Sequence, residues 1–238
     1  SYFRFMPEEI NRILADHCSD FLFAPTEKAK KILYSEGIKK NVFLTGNTIV
    51  DAVVQNLKLA KSSKIIKELN LENKDYAIVT AHRLENVDYK ERLLGIIKGL
   101  ELINKKFGLR IIYPIHPRTK NNIKKFNIKI PKNIELIEPL GYLDFLLLEK
   151  NARLVLTDSG GVQEESCVLR VPCVTLRDNT ERPETVDVKA NILAGVNPYK
   201  IYKCAKIMLS RKRDWKNPFG DGKAAERIIR ILKKKLEQ

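Results

Sequence analysis

Residues 153–177 read R-L-V-L-T-D-S-G-G-V-Q-E-E-S-C-V-L-R-V-P-C-V-T-L-R, and the fold follows from how this stretch is parsed. The apolar run Leu154, Val155, Leu156 stops at Thr157-Asp158-Ser159. Two glycines follow, and Val162, Ser166, Leu169 and Val171 recur at helical spacing. The pattern predicts a strand, a tight turn, a helix and a second strand over 174–176. Ser159 is placed to cap the helix. Gly160 and Gly161 leave its first N–H groups uncovered by side chains, so an anion can approach the positive helix end. The same composition also makes an ordinary cap and turn without a ligand, and the stretch alone leaves both readings open.

The same alternation extends outward. Toward the N-terminus a strand over 77–80 leads to a helix over 88–107, a strand over 110–115 to a helix over 119–126, and a strand over 134–137 to a helix over 142–150. Toward the C-terminus come the strand at 174, a short strand over 191–193 and a helix over 198–209. Six strands alternating with helices predict an α/β fold built on a doubly wound, mainly parallel, Rossmann-like sheet. Upstream, a helix opened by Pro7-Glu8-Glu9, a strand over 21–24, a helix over 26–36 and a strand over 42–45 read as the closing part of a domain whose beginning is absent. Gly46-Asn47-Thr48 opens a further helix to about residue 61. The final helix, over 223–236, presents Ala225, Ile228, Ile229 and Leu232 on one face, which suits packing outside its own sheet.

With 238 residues, 44% hydrophobic and 31% charged, the chain has the composition of a globular protein with one large core or two smaller ones. No apolar run approaches the ~20 residues of a membrane span, and no secretory pattern opens the chain. Cys18, Cys167, Cys173 and Cys204 form no C-x-x-C pair and read as reduced core thiols of a cytoplasmic protein, not as metal ligands. The formal charge of +15 comes mainly from lysines on predicted helix surfaces and from Lys233-Lys234-Lys235. Aromatic residues are not interleaved with them as a base-stacking platform requires, so no nucleic-acid partner is expected.

In the strand order 3-2-1-4-5-6 the crevice opens between the carboxyl ends of the first and fourth strands. These ends read T-A-H-R-L-E-N and T-D-S-G-G. That order brings His82 and Arg83 opposite Ser159, Gly160 and Gly161, a site for a phosphate or diphosphate. In the competing reading Arg83 pairs with Glu85, and His82 is a satisfied strand-end histidine. No G-x-G-x-x-G follows the first strand and no G-x-x-x-x-G-K-[ST] occurs, which disfavours a redox dinucleotide or a P-loop nucleotide. Glu164 and Glu165 lie just inside the helix, where a carboxylate either accepts from a ribose diol or simply complements the helix dipole. Thr180-Glu181-Arg182-Pro183-Glu184 and His116 lie at the same sheet edge and are either solvated or in contact with sugar and phosphate. Asp158 reads as a turn-former, not a catalyst.

As an ordered set, M-P-E-E-I-N-R, F-A-P-T-E, T-G-N-T-I-V-D-A, T-A-H-R-L-E-N, H-P, L-T-D-S-G-G-V-Q-E-E and L-R-D-N-T-E-R-P-E resemble the non-hydrolysing UDP-N-acetylglucosamine 2-epimerases over essentially the whole chain. The resemblance implies two Rossmann-like domains of the glycosyltransferase-B type with the active site in the cleft between them. It also implies a cytoplasmic homodimer without cofactor or metal that serves polysaccharide biosynthesis. The implied reaction converts UDP-N-acetylglucosamine to UDP-N-acetylmannosamine by anti elimination of UDP to 2-acetamidoglucal and syn re-addition. By resemblance Glu8 and His82 fall on catalytic positions, Arg83, Ser159, Gly160 and Gly161 on the diphosphate site, and Glu165 on the ribose-binding glutamate. His116, Glu181 and Arg182 are candidate substrate or allosteric contacts. The resemblance divides the chain into a remnant of the first domain (1–46), a linker helix with the nucleotide-binding domain (47–222) and a C-terminal helix crossing back to the first domain (223–238). The family's E-A-G-L-R-S motif and an upstream catalytic aspartate have no counterpart here, so the chain alone is expected to bind UDP without epimerising it. Two alternatives use the same site: a nucleotide-sugar glycosyltransferase and a non-catalytic nucleotide-sugar-binding protein.

Overall fold

The computed structural model describes the backbone of residues 7–72 and 75–237, with side chains from Glu9 onward. The chain divides into two compact units, Ser1–Gln55 with Asn217–Gln238, and Asn56–Lys216.

The first unit holds α1 (Pro7–Cys18), β1 (Leu22–Ala24), α2 (Glu27–Ser35), β2 (Val42–Leu44) and the start of α3 (Thr48–Ala60). β1 and β2 pair in parallel over a small core of Leu22, Ala24, Leu33 and Val42. Thr26 caps α2, its Oγ1 accepting from the Ala29 N–H at 3.1 Å. Cys18 is exposed, which corrects the expectation that all four thiols lie in cores. It ends α1, and the apolar spacing of that helix does not carry it inward.

The second unit runs α4 (Ile65–Glu68), β3 (Tyr76–Thr80), α5 (Leu84–Val87), α6 (Lys90–Phe107), β4 (Arg110–Pro114), α7 (Pro117–Lys125) and β5 (Ile134–Ile137). It continues through α8 (Tyr142–Asn151), β6 (Leu154–Thr157), α9 (Gly160–Leu169), β7 (Cys173–Thr175), α10 (Pro183–Asp187), β8 (Asn191–Leu193) and α11 (Pro198–Leu209). Its six strands are all parallel, in the order β5-β4-β3-β6-β7-β8. This is the expected 3-2-1-4-5-6 order. Right-handed crossovers leaving β3 and β6 in opposite directions put their helices on opposite faces of the sheet.

Because both faces are covered, the central strands β3, β6 and β7 are buried almost throughout, whereas edge strand β5 alternates and its Glu135 pairs with Arg110 of β4. Ala77, Val79, Ile111, Tyr113, Leu154 and Leu156 join one core with Leu93, Ile96, Leu100 and Ile103 of α6 and Ile201, Ala205 and Met208 of α11. α11 comes close to α6 because Gly95 and Gly99 give it room: a Cβ at Gly99 would lie 2.8 Å from Ile201 Cδ1, and one at Gly95 would strike the Val196 carbonyl. The helix expected over 88–107 starts at Lys90, preceded by the separate turn α5. Two side chains cause the break. Asn86 turns inward to the Leu176 carbonyl, and Asp88 is held by Arg118 and Asn122 of α7.

The chain then returns to the first unit as α12 (Ala224–Leu236). Its first N–H groups are capped from another helix: Asp51 of α3 accepts from Ala224 N at 3.1 Å and from Ala225 N at 3.0 Å.

Candidate active site

β3 and β6 run side by side at the centre of the sheet, and Thr80 Oγ1 and Thr157 Oγ1 meet at 2.6 Å on its carboxyl edge. The next residue, Asp158, is fully buried. A buried carboxylate is costly unless its lone pairs are filled. Here the backbone N–H groups of His82, at 3.0 and 3.1 Å, and Arg83, at 2.9 Å, donate to it, as does Asn86 Nδ2 at 3.0 Å. Asn86 Nδ2 also donates to the Leu176 carbonyl at 2.9 Å. The loop after β3 is thereby fastened to the end of β6. A second brace acts one residue earlier, where Tyr113 Oη (2.7 Å) and Thr119 Oγ1 (3.0 Å) both donate to the Ala81 carbonyl. Burial pushes the Tyr113 phenol far up, so it stays a donor. His82 and Arg83 are thus delivered by fixed backbone, while their side chains remain 44% and 30% exposed.

Across the edge, Ser159 occupies the N-cap position of α9, yet its side chain makes no capping bond among the described residues. Its own N–H donates to Thr157 Oγ1 at 2.9 Å. With Gly160 and Gly161 following, the first N–H groups of α9 are left to a ligand, and the helix dipole favours an anion there. Glu181 and Arg182 flank this turn: a Cβ at Gly160 would lie 3.8 Å from Glu181 Oε2 and 3.7 Å from Arg182 Nε. Arg83 Nη2 is 3.8 Å from Glu181 Oε2. Arg83 therefore does not take Glu85, as the competing reading required. Glu85 is bonded at 2.7 Å by the buried Arg177, which also holds Glu181 at 2.8 and 3.0 Å. Burial acts to raise the Glu181 carboxyl, but Arg177 outweighs it and keeps it below its ordinary value.

Beside the helix end lies a cavity of about 190 Å³, lined by Thr80, His82, His116, Pro139, Leu140, Phe145 and Ser159 among others. The His82 and His116 rings are 5.9 Å apart between centroids. His116 caps α7 with Nδ1 accepting from the Arg118 N–H at 3.2 Å, which puts the neutral ring's proton on Nε2.

α9 itself is buried on most of its surface, polar residues included. Gln163 Oε1 accepts from Thr180 Oγ1 at 2.6 Å and from Asn191 Nδ2 at 3.2 Å, tying the helix to the segment that carries Glu181 and Arg182. Arg182 Nε lies 2.9 Å from Glu164 Oε1. Glu165 is bonded by Tyr142 of α8. Burial first, and then the charge of Glu164, hold its carboxyl above the ordinary value despite that bond. Among the described residues no three His, Cys, Asp or Glu side chains gather as they would around a metal ion, and no helix is long and apolar enough to cross a membrane.

The profile of the family described as UDP-N-acetylglucosamine 2-epimerase matches residues 3–233. The chain belongs to the UDP-N-acetylglucosamine 2-epimerase family. It is 58% identical over 240 residues to the UDP-N-acetylglucosamine 2-epimerase of Methanocaldococcus jannaschii, covering 98% of this chain and 66% of that protein. The Methanococcus maripaludis enzyme of the same name is 51% identical, with the same coverage. The crystal structure of the M. jannaschii enzyme in complex with UDP-GlcNAc and UDP matches with a TM-score of 0.90, over 98% of this chain and 66% of that one. The chain therefore spans just under two thirds of the length of these relatives.

In this epimerase-family chain one sheet edge gathers His82, Arg83, Ser159, Gly160, Glu181 and Arg182, with His116 across the cavity. Glu165 lies further along α9 and is 7% exposed. Glu8 lies in the first turn of α1, and its side chain is outside the described residues. Asp158, Asn86, Arg177 and Gln163 organise the edge without having been singled out as site residues. Asp158 carried a signal, an acid at a strand end before two glycines. Arg177 carried none, because an arginine in sequence reads as a surface residue.

Proposed function

We propose that this chain carries the nucleotide-holding part of an enzyme that epimerises UDP-N-acetylglucosamine at C2 to UDP-N-acetylmannosamine. The observation that carries the reading is the Asp158 clamp, which fixes Arg83 and His82 across from the uncapped start of α9 in a chain of this family. The N–H groups of Gly160 and Gly161 and the Ser159 hydroxyl, with the Arg83 guanidinium, take the diphosphate, whose charge grows as its bond to C1 breaks; the Ser159 N–H stays with Thr157. Glu165 accepts from the ribose diol. The apolar wall of Pro139, Leu140 and Phe145 suits the uracil ring.

In the reaction, the C2 proton is removed and UDP leaves C1, giving 2-acetamidoglucal. UDP then returns to C1 and a proton to the other face of C2. Elimination and addition balance without an oxidant, so the cycle calls for no redox cofactor. His82 and, by the family pattern, Glu8 handle the C2 proton, since a group that takes a proton in one half must return it in the other. His116, Glu181 and Arg182 contact the sugar or a second nucleotide. In this reading residues 1–46 and α12 belong with a first Rossmann-like domain, and the full-length enzyme is a cytoplasmic homodimer.

The chain by itself binds UDP without epimerising, because a third of its relatives' length has no counterpart in it. Isothermal titration of the 238-residue chain with UDP tests the binding. Proton NMR of UDP-N-acetylglucosamine in D2O tests the chemistry. Deuterium at C2 and the manno epimer are expected only after the chain is joined to the segment of the M. jannaschii enzyme that the match leaves uncovered. Turnover by the chain alone would overturn the inactivity, and failure to bind UDP would overturn the reading as a whole. Sugar transfer to an acceptor without exchange at C2 would favour a glycosyltransferase.

A further inference from the structure

One buried acid has no part in the reading above. Glu149, near the end of α8, is fully buried, and neither of its carboxyl oxygens has a hydrogen-bond partner among the described residues. An unpaired charge in such a place is too costly to hold, so the group is a neutral acid with an unspent O–H donor. Burial, and then the negative charge of Glu165, push its pKa well above the ordinary glutamate value. Glu165 stands on α9, packed against α8, and is itself buried and bonded by Tyr142. The other titratable groups near Glu149 are Tyr142 on its own helix and Cys173 on β7, whose thiol burial pushes up to about 12. α4, also packed on α8, carries Lys67 and Glu68.

A carboxyl group accepts a ribose diol most strongly when ionised, and one buried as Glu165 is has little water to stabilise its charge. Tyr142 already donates to Glu165, and a neutral acid on the same packed helix can supply a second donor. Resting on the ribose-binding reading of Glu165, we propose that Glu149 is a positioning residue whose O–H closes onto the Glu165 carboxylate when that carboxylate takes the diol, and so strengthens binding of a ribonucleotide specifically.

The test titrates the 238-residue chain and its variants with UDP and with 2′,3′-dideoxyUDP. Glu149→Leu is expected to weaken UDP about tenfold, the effect of losing one charge-assisted hydrogen bond, and to leave dideoxyUDP binding within about twofold. Glu149→Gln keeps a neutral donor of the same shape and should restore UDP affinity. Equal loss with both nucleotides, or no rescue by Gln, would mean a packing role only and overturn the proposal. Infrared difference spectra of the unsubstituted chain give a second measurement should Glu149→Leu fail to fold. The carboxylic C=O band that Glu149→Gln removes should shift down on adding UDP and stay put with dideoxyUDP; a band unmoved by UDP also overturns the proposal. If UDP does not bind the unsubstituted chain, or binds Glu165→Gln equally well, the site reading itself has failed. If Glu165→Gln weakens UDP and Glu149→Leu does not, only the Glu149 inference is lost.

Discussion

The buried carboxylate of Asp158 accepts the His82 backbone N–H at 3.0 Å, across 76 residues of chain. The bond joins the carboxyl ends of the two central strands, so the loop bearing His82 and Arg83 has one position relative to the start of α9. Asp158→Ala strands three donors in a dry site and is expected to cost about 2–4 kcal/mol. Urea unfolding should show a lower midpoint at unchanged slope, and UDP affinity should fall with it. A midpoint equal to the parent's would remove the clamp from the account.

Arg83 is partly exposed and contributes charge to the proposed diphosphate site more than to the core. Arg83→Gln should leave the thermal midpoint nearly unchanged and weaken UDP by about tenfold or more, a charge-assisted contact being worth roughly 1.5–3 kcal/mol. Calorimetric titration at two salt concentrations checks it, since the lost interaction should also reduce the salt dependence.

Gly99 faces Ile201, whose side chain is fully buried and has no room to withdraw. Gly99→Ala is expected to lower stability by about 1–3 kcal/mol through overpacking, outweighing the gain in helix propensity. Because neither Gly99 nor Ile201 lines the cavity beside the start of α9, UDP affinity of the folded fraction should not change. Calorimetric melting and titration read the two effects separately.

Glu149 also governs how stability depends on pH. Its pKa is higher folded than unfolded, so the native state holds a proton that the unfolded chain releases above about pH 4.3. Stability is therefore lost as pH rises from that value toward the folded pKa. Glu149→Gln lacks this slope. Urea unfolding at pH 5 and pH 8 should show the variant gaining on the parent at the higher pH, and a constant difference would contradict the neutral-acid assignment.

Of the four cysteines only Cys18 is exposed, while burial pushes the Cys167 and Cys173 thiols up to about 12. A disulfide reagent at pH 8 should label one thiol quickly in the native chain and all four after denaturation. Rapid labelling of two or more would place a second thiol at the surface.

Much of the fold is legible in the sequence. Alternation of β and α with right-handed crossovers implies a doubly wound parallel sheet, and only if its order is 3-2-1-4-5-6 does T-A-H-R meet T-D-S-G-G, which is the order the structure has. Misreadings came where a side chain turned inward against local pattern. The helix expected over 88–107 is present from Lys90, with Asp88 held outside it by Arg118 and Asn122, and the segment around Glu181 holds the short helix α10 and is anchored by Arg177. The sequence makes Ser159 a cap, yet its hydroxyl makes no such bond among the described residues.

The sequence by itself determined the doubly wound sheet and the family, and pointed to the sheet edge proposed to hold a nucleotide, because periodicity, glycine turns and ordered motifs are properties of the local chain. Tertiary structure alone decided which charges are buried and with whom. Arg177 reaches Glu85 across 92 residues, Asp158 reaches His82 across 76, and Glu149 is enclosed with no protein partner among the described residues. The physical reason is that the cost of burying a charge depends on every group around it, and those groups come from strands and helices far apart in the chain.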